Sequence, residues 1–548
     1  MKASAPLLRE TLDRLELFLR QERSILLAML TYAVAVGVFS LIIPLTVQEL
    51  VNTFAFSVSP VMVVTIVGIM AVILVFVGIF RVLQFYATDI LERRVFVRVT
   101  LALAKLLPRY QEDRFRSDSM SRFFETVFLQ RALSSLLVDF INVLVGGVIG
   151  MTLLALYHPY FVIFDVVLLG SVILIGLLGK GGLGSTLAMS EAKYAVFHWF
   201  QEVADNLLQF KATNSSPFIL RNADVLAANY VYARQSRFRV LLRQYIGSLV
   251  FQIVLHTGLL GTAGWLLSQG ELTLGQLVAA EVIVASLLLN LDSVVKRMYV
   301  VFYFFTALTE LDHLFSLPKD PIAHDPDFAV PSSDSAGLHV TCSQMGWASE
   351  SPNHSPAENV EVLPGGKVAI ICSTESVRHR VSLVLGGFHR PPAGVVRYNG
   401  ADLKTFSREQ LSAQRGIVFG RDLTLFEGTV KDNILLGRPG ITSEDVLWAV
   451  ALTQLDKELE KFPDGLETMV KEGGKGLPPS QRLRILLARA IITRPPLVIL
   501  DGGMHEIPDH IREPLLYALS SKDCPWTLII VTTDPHAKTF VGKSWTLS

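Results

Sequence analysis

Residues 365–382 read GGKVAIICSTESVRHRVS. They stand where a phosphate-binding loop belongs, after an apolar strand at 368–371 and before an apolar helix at 381–385. Such a loop follows G-x-x-x-x-G-K-[ST]. Its glycines let backbone N–H groups converge on phosphate, its lysine meets the outer phosphates, and its hydroxyl reaches Mg²⁺. The aligned positions here hold Cys372, Val377, Arg378 and His379. A β-branched side chain suits a left-handed loop position badly. Glu375, inside the loop, would repel phosphate. Arg378 keeps a charge without the compact ammonium geometry, and His379 is a poor ligand for a hard cation. Arg378 and Arg380 are therefore expected to be solvated or paired surface cations, and His379 to be exposed. Asp501 ends an apolar strand at 497–500. It reads either as a metal ligand or as a capping or turn carboxylate.

The elements around these residues alternate. Apolar strands are expected at 367–372, 416–419, 497–500 and 527–531, with helices such as 408–414 and 480–492 between them. That order predicts an α/β domain on a mostly parallel sheet, and ~210 residues suffice for one buried core. Composition changes at Pro318. The stretch 318–337, PKDPIAHDPDFAVPSSDSAG, reads as a linker.

Ahead of the linker the chain is a membrane protein. Hydrophobic residues make up 51% of the whole. Long apolar stretches fall at 24–53, 60–88, 132–157, 158–180, 245–268 and 273–308. Each meets or approaches the ~20 residues that a spanning helix needs, which predicts six spans. The segments 92–131 and 180–244 are rich in Arg and Lys, whereas the connections near 54–60, 157–159 and 268–273 have none. The positive-inside rule then places the charged loops and both termini in the cytoplasm. The first 23 residues lack the apolar run of a signal peptide. Leu8, Leu12, Leu15 and Leu19 share one stripe, as in an amphipathic helix on the membrane surface or a soluble helix packed on the next domain. Cys342, Cys372 and Cys524 all lie in the soluble half, so no disulfide framework is expected. A net charge of zero gives no case for nucleic acid.

Asp139, Asp165, His256, Glu281 and Asp292 fall within the spans. Intramembrane charge is costly and is often functional. Glu281 is the candidate for the pathway, Asp292 has Lys296 one turn away as a partner, and Asp139 and Asp165 are expected near span ends.

Six spans with two long cytoplasmic loops, a linker and a P-loop-like α/β domain resemble a half-transporter of the ABC exporter family, over nearly the whole chain. Residues 270–284, GELTLGQLVAAEVIV, look like type I secretion and peptide-exporting members. Residues 416–437, GIVFGRDLTLFEGTVKDNILLG, resemble the Q-loop region. Residues 476–501, GLPPSQRLRILLARAIITRPPLVILD, resemble the signature helix running into Walker B. The resemblance implies an amphipathic helix at 1–23, a six-helix transmembrane domain at 24–317, the linker at 318–337 and a degenerate nucleotide-binding domain at 338–548. It also implies that the functional residues are lost. The signature LSGGQ stands as LPPSQ at 477–481, where Pro478 and Pro479 have no N–H to offer. Walker B keeps Asp501, but Gly502 replaces the catalytic glutamate, Thr533 the switch histidine and Arg421 the Q-loop glutamine. His536 would serve as the switch only in a rebuilt loop, and Trp347 is a loose stand-in for the adenine-stacking aromatic. No catalytic residue and no metal site is expected. Arg378, His379, Arg421, Gln481 and Asp501 are vestigial nucleotide-binding positions, and ATP with Mg²⁺ binds weakly if at all.

Three functions follow from the resemblance. The first is a catalytically degenerate exporter subunit paired with an ATPase-competent half-transporter. The second is a non-transporting scaffold or regulator, and the third an active homodimeric exporter. The expected partners are the lipid bilayer, a second half-transporter in a hetero-oligomer rather than a homodimer, and accessory secretion proteins. The expected location is a bacterial inner membrane. Loop tips near 111–120 and 209–218 would transmit closure from nucleotide-binding domains.

Overall fold

The computed structural model describes residues 20–56, 60–111, 117–213, 215–319, 337–345, 358–391 and 393–547. The leucine stripe at 8–19, nearly all of the linker at 318–337, Trp347 and the centre of the 111–120 tip lie outside them. The chain divides into two units between Pro318 and Lys319.

The first unit is helical. Its elements are α1 (Arg23–Ser40), α2 (Ile42–Phe56), α3 (Pro60–Leu106), α4 (Glu125–Tyr157), α5 (Tyr160–Leu178), α6 (Gly182–Asp205), α7 (Leu207–Ala212), α8 (Ser216–Ser268), α9 (Leu274–Lys296) and α10 (Met298–Phe315). They compose six segments long and apolar enough to cross a membrane: Arg23–Phe54, Pro60–Arg109, Met120–Tyr157, Tyr160–Asp205, Ser216–Ser268 and Leu274–Phe315. Several outrun the bilayer. The 47 residues of α3 extend ~70 Å at 1.5 Å per residue, against a hydrocarbon core of ~30 Å. The charged segments after spans two and four are thus largely continuations of the same helices. The first span breaks at Leu41. Pro44 explains the break, because its ring excludes the carbonyl one turn earlier and it lacks an N–H. Leu154, Phe161, Leu168, Leu255, Leu259 and Ile283 pack α4, α5, α8 and α9 into one core.

The second unit is the expected α/β domain. Its strands are β1 (Val340–Met345), β2 (Glu358–Val362), β3 (Lys367–Cys372), β4 (Val395–Tyr398), β5 (Ala401–Asp402), β6 (Arg415–Phe419), β7 (Gly428–Thr429), β8 (Met469–Val470), β9 (Leu497–Asp501), β10 (Thr527–Thr532) and β11 (Lys543–Leu547). Its helices are α11 (Glu375–Leu385), α12 (Arg408–Gln414), α13 (Val430–Leu435), α14 (Ser443–Leu452), α15 (Asp456–Leu459), α16 (Pro479–Ile491) and α17 (Asp509–Ser520). A five-stranded sheet runs β11-β3-β10-β9-β6, and every pairing in it is parallel. A second sheet, β2-β1-β4-β5, is antiparallel.

Central parallel strands are buried on both faces, so they read as continuous apolar runs. The two faces here separate at period two. Ala369, Val498, Leu500, Leu528 and Ile530 join one core, while Val368, Ile370, Leu497, Ile499 and Ile529 join the other. The sheet holds β3, β9 and β10 side by side and thereby brings residues 372–379, 501–503 and 533 to one edge.

Thr527 ties the entry to this sheet. It is fully buried, accepts hydrogen bonds from the N–H groups of Leu338 and Gly365 at 3.0 Å each, and donates to the Leu338 carbonyl at 2.7 Å. Thr527→Val keeps the shape and removes these bonds. It should cost about 1–3 kcal/mol, read as a lower denaturation midpoint in Trp526 fluorescence. An unchanged midpoint would contradict this account.

Candidate functional site

The phosphate-loop position is not a loop. β3 ends at Cys372 and α11 begins at Glu375. Thr374 caps the helix: its hydroxyl accepts from the Val377 N–H at 3.3 Å, and its carbonyl accepts from the Arg378 N–H at 3.0 Å. Threonine is a favoured N-cap, so the helix starts six residues earlier than the apolar pattern from 381 suggests. No residue between Gly365 and Gly387 has positive φ. The expectation that Val377 strains a left-handed position is therefore overturned, since Val377 is an ordinary residue of the first helical turn.

Arg378, one turn before the apolar part of α11, points into the protein. Its side chain is 5% exposed and pairs with the fully buried Asp501. Its Nε donates to Glu375 Oε2 at 2.8 Å, and its Nη2 lies 2.6 Å from the same oxygen. The other Asp501 oxygen lies 3.0 Å from His379 Nδ1. Glu375 Oε1 accepts the Thr533 hydroxyl at 2.9 Å. His379, Asp501, Arg378, Glu375 and Thr533 thus form one continuous chain of polar contacts. The surface role expected for Arg378 and the exposure expected for His379 are both corrected. A buried carboxylate needs a cation and hydrogen bonds, and these two side chains meet that need. Burial alone would raise the Glu375 carboxyl, but hydrogen bonds from Arg378 and Thr533 and the adjacent guanidinium outweigh it and hold its pKa below the ordinary value.

Gly502 belongs to the same cluster. Its φ is +62°, which favours glycine. A Cβ there would stand 2.6 Å from Arg378 Cζ. The guanidinium fills the space that any side chain at 502 would enter.

The LPPSQ stretch starts α16. Pro478 is the N-cap and Pro479 the first helical residue, a position where proline costs nothing. Gln481 turns inward, with its Nε2 donating to Glu458 Oε2 at 2.9 Å. Arg484, one turn on, is 2% exposed on its side chain and lies 3.3 Å from Glu458 Oε1. Its Nη1 also donates to the Gln454 carbonyl at 2.6 Å. Glu458 and Arg484 escaped the sequence reading, and the helical spacing from Gln481 to Arg484 was the signal available. Arg421 is exposed beyond β6, and His536 is exposed at the start of a short 3₁₀ turn. Neither joins the Asp501 cluster.

Residues 381–504 match the model of the ABC transporter family. The mycobactin import ATP-binding/permease protein IrtB of Mycolicibacterium thermoresistibile is 26% identical over 305 residues, 54% of this chain and 50% of the relative. The leukotoxin translocation ATP-binding protein LktB of a Pasteurella haemolytica-like species is 24% identical over 527 residues, 93% of this chain and 72% of the relative. The chain thus spans about half the length of the IrtB relative. The solved structure of a bacterial Atm1-family ABC exporter with ATP bound superposes with a TM-score of 0.82 at 17% identity, covering 97% of this chain and 94% of that one. The chain therefore has the fold of ABC exporters, a six-helix transmembrane domain followed by an ABC nucleotide-binding domain.

Mg²⁺ and a nucleotide do not fit the corner around Asp501. Both oxygens of Asp501 are engaged by side-chain cations or donors. The Val377 N–H is spent on Thr374, and Arg378, in the lysine's place, is folded onto Asp501 rather than toward solvent. The arrangement is a charge cluster closed on its own side chains.

In the membrane half, Asp292 pairs with Lys296 at 2.7 Å, as the spacing suggested. Asp139 accepts from Ser135 at 2.9 Å and pairs with Arg297 across the bundle. Asp165 is buried on α5. Glu281 faces His256 at 3.3 Å. It is not among the residues lining a cavity of about 940 Å³ between α1, α2, α3, α4 and α9.

The Asp501–Arg378 pair makes a stability prediction. Arg378→Met leaves Asp501 buried with only His379 and should cost about 3–5 kcal/mol. Asp501→Asn in the same background should return most of that loss. The check is denaturation of the three chains side by side. Equal midpoints for wild type and Arg378→Met would remove the pair from its central place.

Proposed function

We propose that the chain supplies one half of a transmembrane pathway and is catalytically silent, with a second, ATPase-competent half-transporter doing the ATP work. The observation that carries the reading is Arg378 buried against Asp501, with its guanidinium over Gly502. The groups that would hold Mg²⁺ and polarise water are respectively neutralised and absent. In the ABC family each nucleotide lies between the Walker motifs of one subunit and the signature of the other. A homodimer of this chain would have two sites altered on both sides, because Gln481 is turned onto Glu458 behind two prolines. A partner with intact motifs would retain a full set of Walker groups facing LPPSQ.

The cavity between the spans, polar in one part and apolar in the other, favours a pathway over an inert scaffold. The relatives named for translocation and import make direction and cargo open properties of the complex. We place the protein in a bacterial inner membrane with the soluble domain cytoplasmic, and accessory secretion proteins are further candidates for the complex.

The test is purification of the tagged chain from its native membrane, followed by ATPase assay. The chain alone should show no turnover above background. A six-span protein with an intact G-x-x-x-x-G-K-[ST] should come with it, and the complex should hydrolyse ATP. Gly502→Glu should leave the isolated chain inactive, because the new side chain meets Arg378. Turnover by the isolated chain, linear in protein, would overturn the reading. An inactive chain that purifies alone would move the conclusion to the scaffold.

A further inference from the structure

The membrane cavity has a direction. On α4 its lining is polar toward the cytoplasm, with Ser134, Asp139 and Asn142, and apolar toward the outside, with Val143, Gly146 and Ile149. Along α9 and the residue after it the order runs in reverse and less sharply: Val282, Ile283, Ser286 and Leu287, then Asn290, Ser293, Val294 and Arg297. α3 contributes Arg81, Gln84, Thr88 and Glu92, and the first span contributes mostly apolar residues such as Val36, Leu41 and Ile43. Arg81, Asn142 and Asn290 lie ~22–32 Å along their helices from the outer ends. That is near the cytoplasmic edge of a ~30 Å hydrocarbon core. The cavity is therefore polar at headgroup depth and apolar above it.

Its charges do not cancel. Arg81, Arg131 and Arg297 line it against Glu92 and Asp139. Arg297 and Asp139 neutralise one another. The Gln84–Asn142 hydrogen bond, 3.0 Å long, sets the antiparallel register of α3 and α4. In that register Glu92 lies level with Ser134 and within one turn of Arg131, so the two opposite charges share the cytoplasmic mouth, without an ion pair between them. The residual cation is Arg81, one turn outward of the Gln84–Asn142 amides and directly below the apolar part. Among the described residues Arg81 has no ion pair. Arg81 is exposed at this edge, and a guanidinium without an ion pair where a polar lining meets an apolar one suits an anionic head with an apolar tail. A volume of about 940 Å³ is at the upper end of the range for small-molecule sites, ~300–1,000 Å³.

We infer that this cavity takes an anionic amphiphile, with a single carboxylate or phosphate head at Arg81, Gln84 and Asn142 and an apolar tail along α1, α4 and α9. The head enters from the cytoplasmic leaflet. A membrane lipid and a free fatty-acid-like molecule share this chemistry. The inference rests on the pathway reading above for its transport meaning. Binding itself requires neither a partner nor ATP, so the two fail separately.

The test uses the full chain in nanodiscs of neutral phosphatidylcholine. The probes are a fluorescent sixteen-carbon fatty acid and the matching alcohol. A charge-assisted head contact should make the acid bind ~10-fold or more tightly than the alcohol. Arg81→Ala should bring the acid down to the alcohol's affinity, Arg81→Lys should keep most of the preference, and Arg131→Ala should leave it in place. Displacement of the acid by phosphatidic acid assigns the site to membrane lipid, and binding that phosphatidic acid does not displace assigns it to a free amphiphile. Equal binding of acid and alcohol to the unmodified chain overturns the proposal, as does an acid preference that survives in Arg81→Ala. If Arg81→Ala does not fold, the acid–alcohol comparison and Arg81→Lys decide alone.

Discussion

A carboxylate with no solvent exposure dictates the soluble site. Asp501 sits at the end of β9, between β6 and β10 in the parallel sheet. An isolated charge in that position is too costly to keep, so it must be neutralised by a metal or by the protein. In this chain the protein does it, with Arg378 and His379 from one turn of α11. The other features of the corner follow. The guanidinium needs room, and glycine at 502 leaves it. It has donors to spare, and Glu375 accepts them. Glu375 in turn holds Thr533 after β10. Substitutions that read separately as losses form one consistent arrangement around a single charge.

The same reasoning explains why the fold persists with so altered a site. The sheet is held by strands whose side chains belong to two apolar cores. The altered residues stand beyond the strands' carboxyl ends, where open α/β sheets place their ligands. Changes there leave core packing intact, so fold and chemistry separate along the strands.

Much of the fold was therefore legible in the sequence, because strands 367–372 and 497–500 announce themselves as apolar runs and the spans by length and hydropathy. The helix expected at 408–414 has those bounds, and the structure shows what fixes its start: the Ser407 hydroxyl and Gln410 form a capping box. The site was half legible. The missing glycines, lysine and glutamate are visible residue by residue. The burial of Arg378 is not, because its partner is 123 positions away and no local pattern distinguishes a surface arginine from one paired across a sheet. The early start of α11 was concealed for a different reason. Its first two turns, ESVRHR, are mostly polar, since they face the charge cluster rather than an apolar core. Periodicity registers only the apolar remainder.

In the membrane half the ranking of ionisable groups inverts. Depth in a span made Glu281 the leading candidate, yet it has His256 across from it. Arg81 drew no notice because it ends an apolar run and reads as a boundary residue. Its importance comes from what surrounds it: amides on α3 and α4 tied to each other, an acid–base pair lower down that cancels itself, and apolar lining above. A charge matters to a pathway when its neighbours leave it uncompensated, whatever its depth. The soluble unit obeys the same rule with the opposite outcome. There Asp501, Arg378 and Glu375 hold one another, whereas among the described residues lining the membrane cavity Arg81 has no ion pair.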